Sequence, residues 1–314
     1  MCCFSAKTEV HGTSIFARFI KPGTQALVYQ MQYTAKEPTA MILPLPVALP
    51  ANDGSVRFKS LKDYASFFQD LARAFPAPQK LNLGLSRSKS GAVSAALPVH
   101  DVGDYVATFV PSAKDFSRVD ARFVIAKDVW DRIPAYADYG FAVFQLKELS
   151  GSPHPIALDF DSRMPDTLFF PTVHIHDGSL HDKETFDHVL YAQERNFDER
   201  VGSYEGPENV DPKTGFVRSK EHVSSYADPA QAQGLLDGSL LVHKMTMVGE
   251  LPNRDTMFDL RSILSRGNTG CGRCDAGAGG AAGLEGAWLP VSATVAGLGW
   301  IIGRRDLLGR RLRR

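Results

Sequence analysis

The sequence predicts an α+β fold dominated by strands, with an antiparallel or mixed sheet, a few helices and a low-complexity C-terminal tail. Three observations carry this expectation. Apolar–polar alternation opens the chain, regular β-α-β alternation is absent, and glycine and alanine crowd the stretch after residue 266. At 314 residues, with 44% hydrophobic and 22% charged positions, the chain can bury a sizeable core. The expected organisation is one globular domain over residues 1–265. A tail over 266–314 follows, Gly/Ala-rich, then apolar, then Arg-rich, and is expected to be disordered or held at a membrane surface.

The first strands read as IFARFI (15–20), QALVYQMQYTA (25–35) and AMILPLPVAL (40–49). Leu27, Tyr29, Met31 and Tyr33 alternate with Ala26, Val28, Gln30 and Gln32, as a strand with two distinct faces requires. Pro22-Gly23 is a hairpin turn signal, and the prolines of LPLPV place the third segment at an edge or at its exit from the sheet. A helix is expected from Ser60 to Phe75: Leu61, Tyr64, Phe67, Phe68, Leu71 and Phe75 recur at helical spacing, and Pro76 ends it. That stripe reads as core packing.

The Ser/Gly-rich stretch 85–97 reads as a mobile loop, followed by a strand in GDYVATFVPS. Residues 113–131 predict a short helix with further strand in RFVIA. DYGFAVFQLKEL, HPIALDFDS and DTLFFPTVHIHDG predict three more strands. A helix is expected over 182–195, then a long polar loop over 201–233, then a last strand in SLLVHKMTMVGE (239–250).

Chemistry concentrates in FFPTVHIHDGSLHDKETFDH, which holds four of the nine histidines. On an extended strand His174 and His176 point to one face about 7 Å apart. Two neutral imidazoles so placed can share a zinc or another divalent transition metal, with a third ligand from Asp177, His181, Asp182 or His188. The bland alternative is a pair of solvated histidines on an edge strand. A second candidate is Cys2: an N-terminal thiol exposed by removal of Met1 can use its own α-amino group as base. Cys271-Gly272-Arg273-Cys274 could supply half a zinc site, but in a glycine-rich setting it reads as two reduced thiols.

Lys plus Arg and Asp plus Glu balance at 35 each, so nothing points to a specific nucleic-acid partner; the partner expected is a small molecule or a protein. No secretory signal precedes MCCFS, which leads to an expected cytoplasmic location with reduced cysteines. The uncharged run 287–303, followed by arginines, is at the short limit for a membrane span and suggests weak membrane-surface contact instead. Phosphate-binding loops, dinucleotide fingerprints and the GxSxG elbow are absent from the sequence.

Taken together, MCCFS, LPLPV, YGFAV and FPTVHIHDG resemble bacterial proteins of uncharacterised function, a resemblance that brings no activity with it. The opening Met1-Cys2 with its strand and hairpin is also similar to N-terminal-nucleophile enzymes of the choloylglycine-hydrolase type. That resemblance implies an amidohydrolase with Cys2 as nucleophile and an arginine at the end of the first strand, here Arg18; the aspartate expected soon after it has no counterpart in Phe19-Ile20-Lys21. Three functions therefore stand as expectations: a metal-binding protein, in its enzymatic form a metal-dependent hydrolase; a cysteine amidohydrolase; and a non-enzymatic binding or interaction domain.

Overall fold

The structure, a computed structural model, describes residues 3–76 and 100–264, which fall within one compact unit spanning Met1–Gly267. Cys2, the loop expected over 85–97 and the whole tail, including Cys271, Cys274 and the apolar run, lie outside the described residues. Among the described residues no helix is long and apolar enough to cross a membrane.

Strand predominates, as the alternation predicts. In chain order the strands are β1 (Cys3–Phe4), β2 (Thr8–Lys21), β3 (Thr24–Ala35), β4 (Ala40–Leu45) and β5 (Val56–Ser60). They continue with β6 (His100–Asp101), β7 (Tyr105–Val110), β8 (Gly140–Leu146), β9 (Ser150–Gly151) and β10 (Ile156–Asp161). The last are β11 (Thr167–Phe170), β12 (Lys183–Ala192), β13 (Val217–Arg218), β14 (His243–Pro252) and β15 (Thr256–Asp259). The α-helices are short: α1 (Phe67–Arg73), α2 (Lys127–Asp131), α3 (Arg195–Asp198) and α4 (Leu260–Leu264).

One antiparallel sheet runs β1-β4-β8-β7-β6, and a larger mixed sheet runs β13-β14-β12-β2-β3-β10-β5 with β9 added to β3. Among the described residues only the β12–β2 pairing in the large sheet is parallel. The central strand β3 is buried on both faces, which separates the core into two clusters. Leu27, Tyr29 and Met31 share one cluster with Met41, Leu43 and Phe144 of the smaller sheet, whose other face carries Phe141 against Phe116 and Trp130. Ala26 and Val28 face Phe67, Phe68 and Leu71 of α1 and Leu235 and Val242. The aromatic stripe of 61–75 is thus core, although the segment expected to be one helix from Ser60 divides into a 3₁₀ turn (Lys62–Tyr64) and α1, and Ser60 ends β5. Pro44 in β4 lies past the two residues that β1 covers, so its missing N–H leaves no ladder bond unmade.

Three expectations are corrected. RFVIA is not a strand: 121–123 form a 3₁₀ turn and 124–126 lead into α2. The segment 182–195 is mainly the ten-residue strand β12, not a helix. Phe186, His188 and Leu190 are buried in period two along it, and Thr185, Val189 and Tyr191 suit a pleated surface better than a helix. Finally, the strand expected through FFPTVHIHDG stops at Phe170. Pro171 has no amide to donate and the partner β15 runs out at Thr256.

Candidate functional site

Beyond Phe170, side chains of the β14–β15 turn take over the backbone bonds that a strand partner would have supplied. Asp255 Oδ1 accepts from the amides of Thr172 (2.8 Å) and Val173 (3.3 Å), and its Oδ2 accepts from the Tyr136 hydroxyl at 2.7 Å. Asn253 Oδ1 accepts from the His174 amide at 2.6 Å, while its Nδ2 donates to the carbonyls of His174 and His181, both at 2.9 Å. From the other side, Ile175 forms a parallel bridge with Cys3, and its carbonyl accepts from the Phe4 amide. His176 O accepts from the Thr8 amide at 2.9 Å. Residues 172–176 are therefore a clamped extended segment rather than a free loop.

This segment lies where β2 and β12 part. The two strands pair only from Ser14 and Val189 onward. Before that point β2 carries a bulge between His11 and Ser14, with Gly12 at φ +62°, a conformation that a side chain would strain. The Gly12 amide donates to Asp187 Oδ2 at 2.7 Å, tying the bulge to β12. The opening between the strands is a cleft of about 390 Å³; its walls include His11, Thr13, Glu184 and Asp187, and His174, His176 and His188 reach into it.

The three imidazoles form a stack. The His174 ring lies 4.8 Å from His176 at 20° and 4.9 Å from His188 at 25°, and the Nε2 atoms of His174 and His188 are 3.1 Å apart. His174 and His188 are each only 2% exposed. Burial, reinforced by the neighbouring His176, pushes the His174 imidazole down to about 2. Burial likewise lowers His176 to about 4, against the opposing pull of Asp177 and Asp187, and carries His188 far below the usual histidine range. All three are neutral at physiological pH. One of the facing Nε2 atoms then carries the proton and donates to the other. Three buried side-chain polar atoms in this cleft have no hydrogen-bond partner among the described residues: Thr13 Oγ1, His174 Nδ1 and His176 Nε2.

Of the residues expected to ligate, the structure brings together His174, His176 and His188. The first two do so from a clamped segment instead of a ladder, and the third from a strand instead of a helix. Asp177 and His181 make a separate, exposed pair at 3.4 Å. There the Ser179 amide and His181 outweigh the effect of burial and hold the Asp177 carboxyl below its ordinary value. Among the described residues no group of three or more His, Cys, Asp and Glu side chains stands in metal-holding arrangement. Arg18 sits elsewhere, five residues beyond Thr13 on β2 (about 17 Å of strand), on the face it shares with Phe16. It is 8% exposed and reaches Asp237 at 3.7 Å, with burial lowering its ordinary value.

Sequence reasoning missed Asn253, Asp255, Thr13 and Asp187. The first two fall in LPNRD, a turn signal whose Asn and Asp bond to a distant segment rather than to their own backbone.

No family model matches the chain, and no curated protein matches it. Among solved structures, the chain is similar to baculovirus P35 at 13% identity and a TM-score of 0.45, covering 82% of this chain and 99% of that one. It is also similar to the caspase-8/P35 complex at 12% identity and a TM-score of 0.37, covering 79% of this chain and 95% of that one. At TM-scores below 0.5 these similarities assign neither a family nor an activity to the chain.

Proposed function

We propose that this is a metal-binding protein, with the cleft between β2 and β12 taking a divalent transition metal of the imidazole-preferring class, zinc foremost. His174 and His188 would be the first two ligands and His176 the third. The observation that carries the reading is the 3.1 Å separation of the His174 and His188 Nε2 atoms. Two imidazole nitrogens bound tetrahedrally to zinc at about 2.0–2.1 Å stand about 3.3–3.4 Å apart. The pair therefore needs little movement once the proton between the facing Nε2 atoms passes to Nδ1 of its ring. Burial already keeps both rings in the neutral form that ligation requires. His176 would turn its ring about χ2 to bring in its unpartnered Nε2.

The surroundings suit a cation. Glu184 and Asp187 supply carboxylates at the cleft, and Asp187 Oδ1 lies 3.4 Å from His188 Nδ1, where a carboxylate can orient a ligating imidazole. The competing reading is a neutral imidazole stack with a packing role only. Isothermal titration of tag-free, metal-stripped protein with zinc separates the two. Binding at one equivalent should weaken in His174→Ala and His188→Ala by more than the about hundredfold that loss of an outer-shell partner costs. Equal binding by wild type and by the double variant would overturn the proposal. Metal-assisted hydrolysis is its enzymatic extension and becomes testable once binding is established.

A further inference from the structure

A second cavity, of about 310 Å³, shares the clamped segment: Val173 lines it, whereas the neighbouring His174 reaches into the histidine cleft. We propose that this second cavity binds a small amphipathic carboxylate, an apolar group of about leucyl or phenyl size bearing one carboxylate. This goes beyond the metal reading and does not depend on it.

Its lining is mostly apolar, from Ile133, Pro134, Val173, Leu180 and Met257, the last 42% exposed. A contiguous apolar wall open to solvent, beside a few polar groups, is the usual composition of a ligand site, and the volume is at the small end of about 300–1,000 Å³. The polar groups at this cavity are unevenly charged. Arg132 and Arg254 both line it, and neither has a carboxylate partner among the described residues. Arg132 spends one Nη on the Leu180 carbonyl at 2.9 Å and keeps its remaining donors, while the exposed Arg254 side chain makes no bond among the described residues.

Among the described residues the one carboxylate lining the cavity, that of Asp255, is already engaged. Its two oxygens take the Tyr136 hydroxyl and the amides of Thr172 and Val173. It therefore serves as a brace for the wall and not as a partner for the guanidiniums. Two unpaired guanidinium forks next to an apolar wall select a planar anion with a hydrophobic body, because a fork binds carboxylate through two parallel N–H···O bonds. The same bonds brace the backbone of Val173, so this part of the wall is in place before a ligand binds.

Such a ligand could be a free acid or the C-terminal end of a peptide, and the test separates them. Amide spectra of the ¹⁵N-labelled full chain are followed while adding N-acetyl-phenylalanine, its carboxamide, a pentapeptide ending in phenylalanine, the same peptide amidated, and inorganic phosphate. Saturable shifts at Val173, Leu180 and their neighbours are expected with one or both free carboxylates at millimolar concentration, and not with the amides or phosphate. The acid alone would mark a small-molecule site and the peptide alone a peptide-end site; either supports the shared chemistry. Arg132→Gln and Arg254→Gln should each weaken binding about tenfold, as loss of a charge-assisted bond implies, while leaving the remaining spectrum unchanged. Ala135→Trp, which fills the cavity from an exposed position, should block binding without touching the guanidiniums. Equal binding of acid and amide, equal binding of phosphate, or no saturable shift with either acid would overturn the proposal.

Discussion

Replacing Asn253 by alanine tests whether side chains of a turn hold the histidine segment in place. The substitution removes three hydrogen bonds: acceptance from the His174 amide at 2.6 Å and donation to the carbonyls of His174 and His181 at 2.9 Å each. At about 1 kcal/mol net per bond, the sum is about 3 kcal/mol. Two corrections act in opposite directions. The bond to His181 is exposed and water replaces it easily, whereas the His174 amide is left as an unmade donor in a buried residue, at about 1–3 kcal/mol. The expected loss is therefore about 2–4 kcal/mol in urea denaturation, read as a lower midpoint at unchanged slope. Glu250→Ala, which removes only the exposed Lys183–Glu250 pair, serves as a control and should stay within about 0.5 kcal/mol. If Asn253→Ala also falls within that margin, the clamp is decorative and the account of why residues 172–174 stay extended without a strand partner fails.

Other outcomes follow from the same geometry. Folding depresses the His174 and His176 values to about 2 and about 4, so the unfolded chain binds their protons first as pH falls below 6.5. The stability of the metal-free protein should therefore be full above that pH and decline below it, by up to about 1.4 kcal/mol per pH unit per histidine. His176→Phe should flatten the decline by one histidine's share between pH 6 and 4.5, and an unchanged slope in chemical denaturation across that range would count against burial as its origin. Asp255 acts with the opposite sign. Burial raises its carboxyl to about 6, so ionisation costs stability above that pH and the cost is relieved on acidification; Asp255→Asn should make the acid-side decline steeper. At Gly140 in β8, an added Cβ would meet the buried Phe109 ring and Val47, so Gly140→Ala should cost about 1–3 kcal/mol through overpacking, and an unchanged thermal midpoint would contradict that packing.

Much of the sheet was legible because its strands keep period two. Tyr29 and Val28 announce the two faces of β3, and Phe141 and Phe144 announce β8. The failures have one physical source, which is that local pattern cannot see the partner strand. KETFDHVLYA contains enough charge to pass for an amphipathic helix, yet β14 beside it over ten residues and β2 over four make it a strand. FFPTVHIHDG looks continuous, but Pro171 and the end of β15 interrupt it. The pairing of His174 with His176 was readable from their spacing. His188 joins them from the strand β12, which stands where the pattern predicts a helix, and its ring lies against that of His174. Asn253 and Asp255, 72 to 119 residues from their partners in sequence, left no local trace.

The most direct test of the central proposal is cobalt(II) substitution in metal-stripped, tag-free protein, read by visible absorption with His174→Ala and His188→Ala alongside. Three imidazole ligands in a near-tetrahedral site predict d–d bands that saturate at one equivalent, are displaced by zinc and vanish in both variants. An octahedral aqua-ion spectrum that does not change in the presence of the wild-type protein would contradict it, and would leave the three histidines as a neutral packed stack.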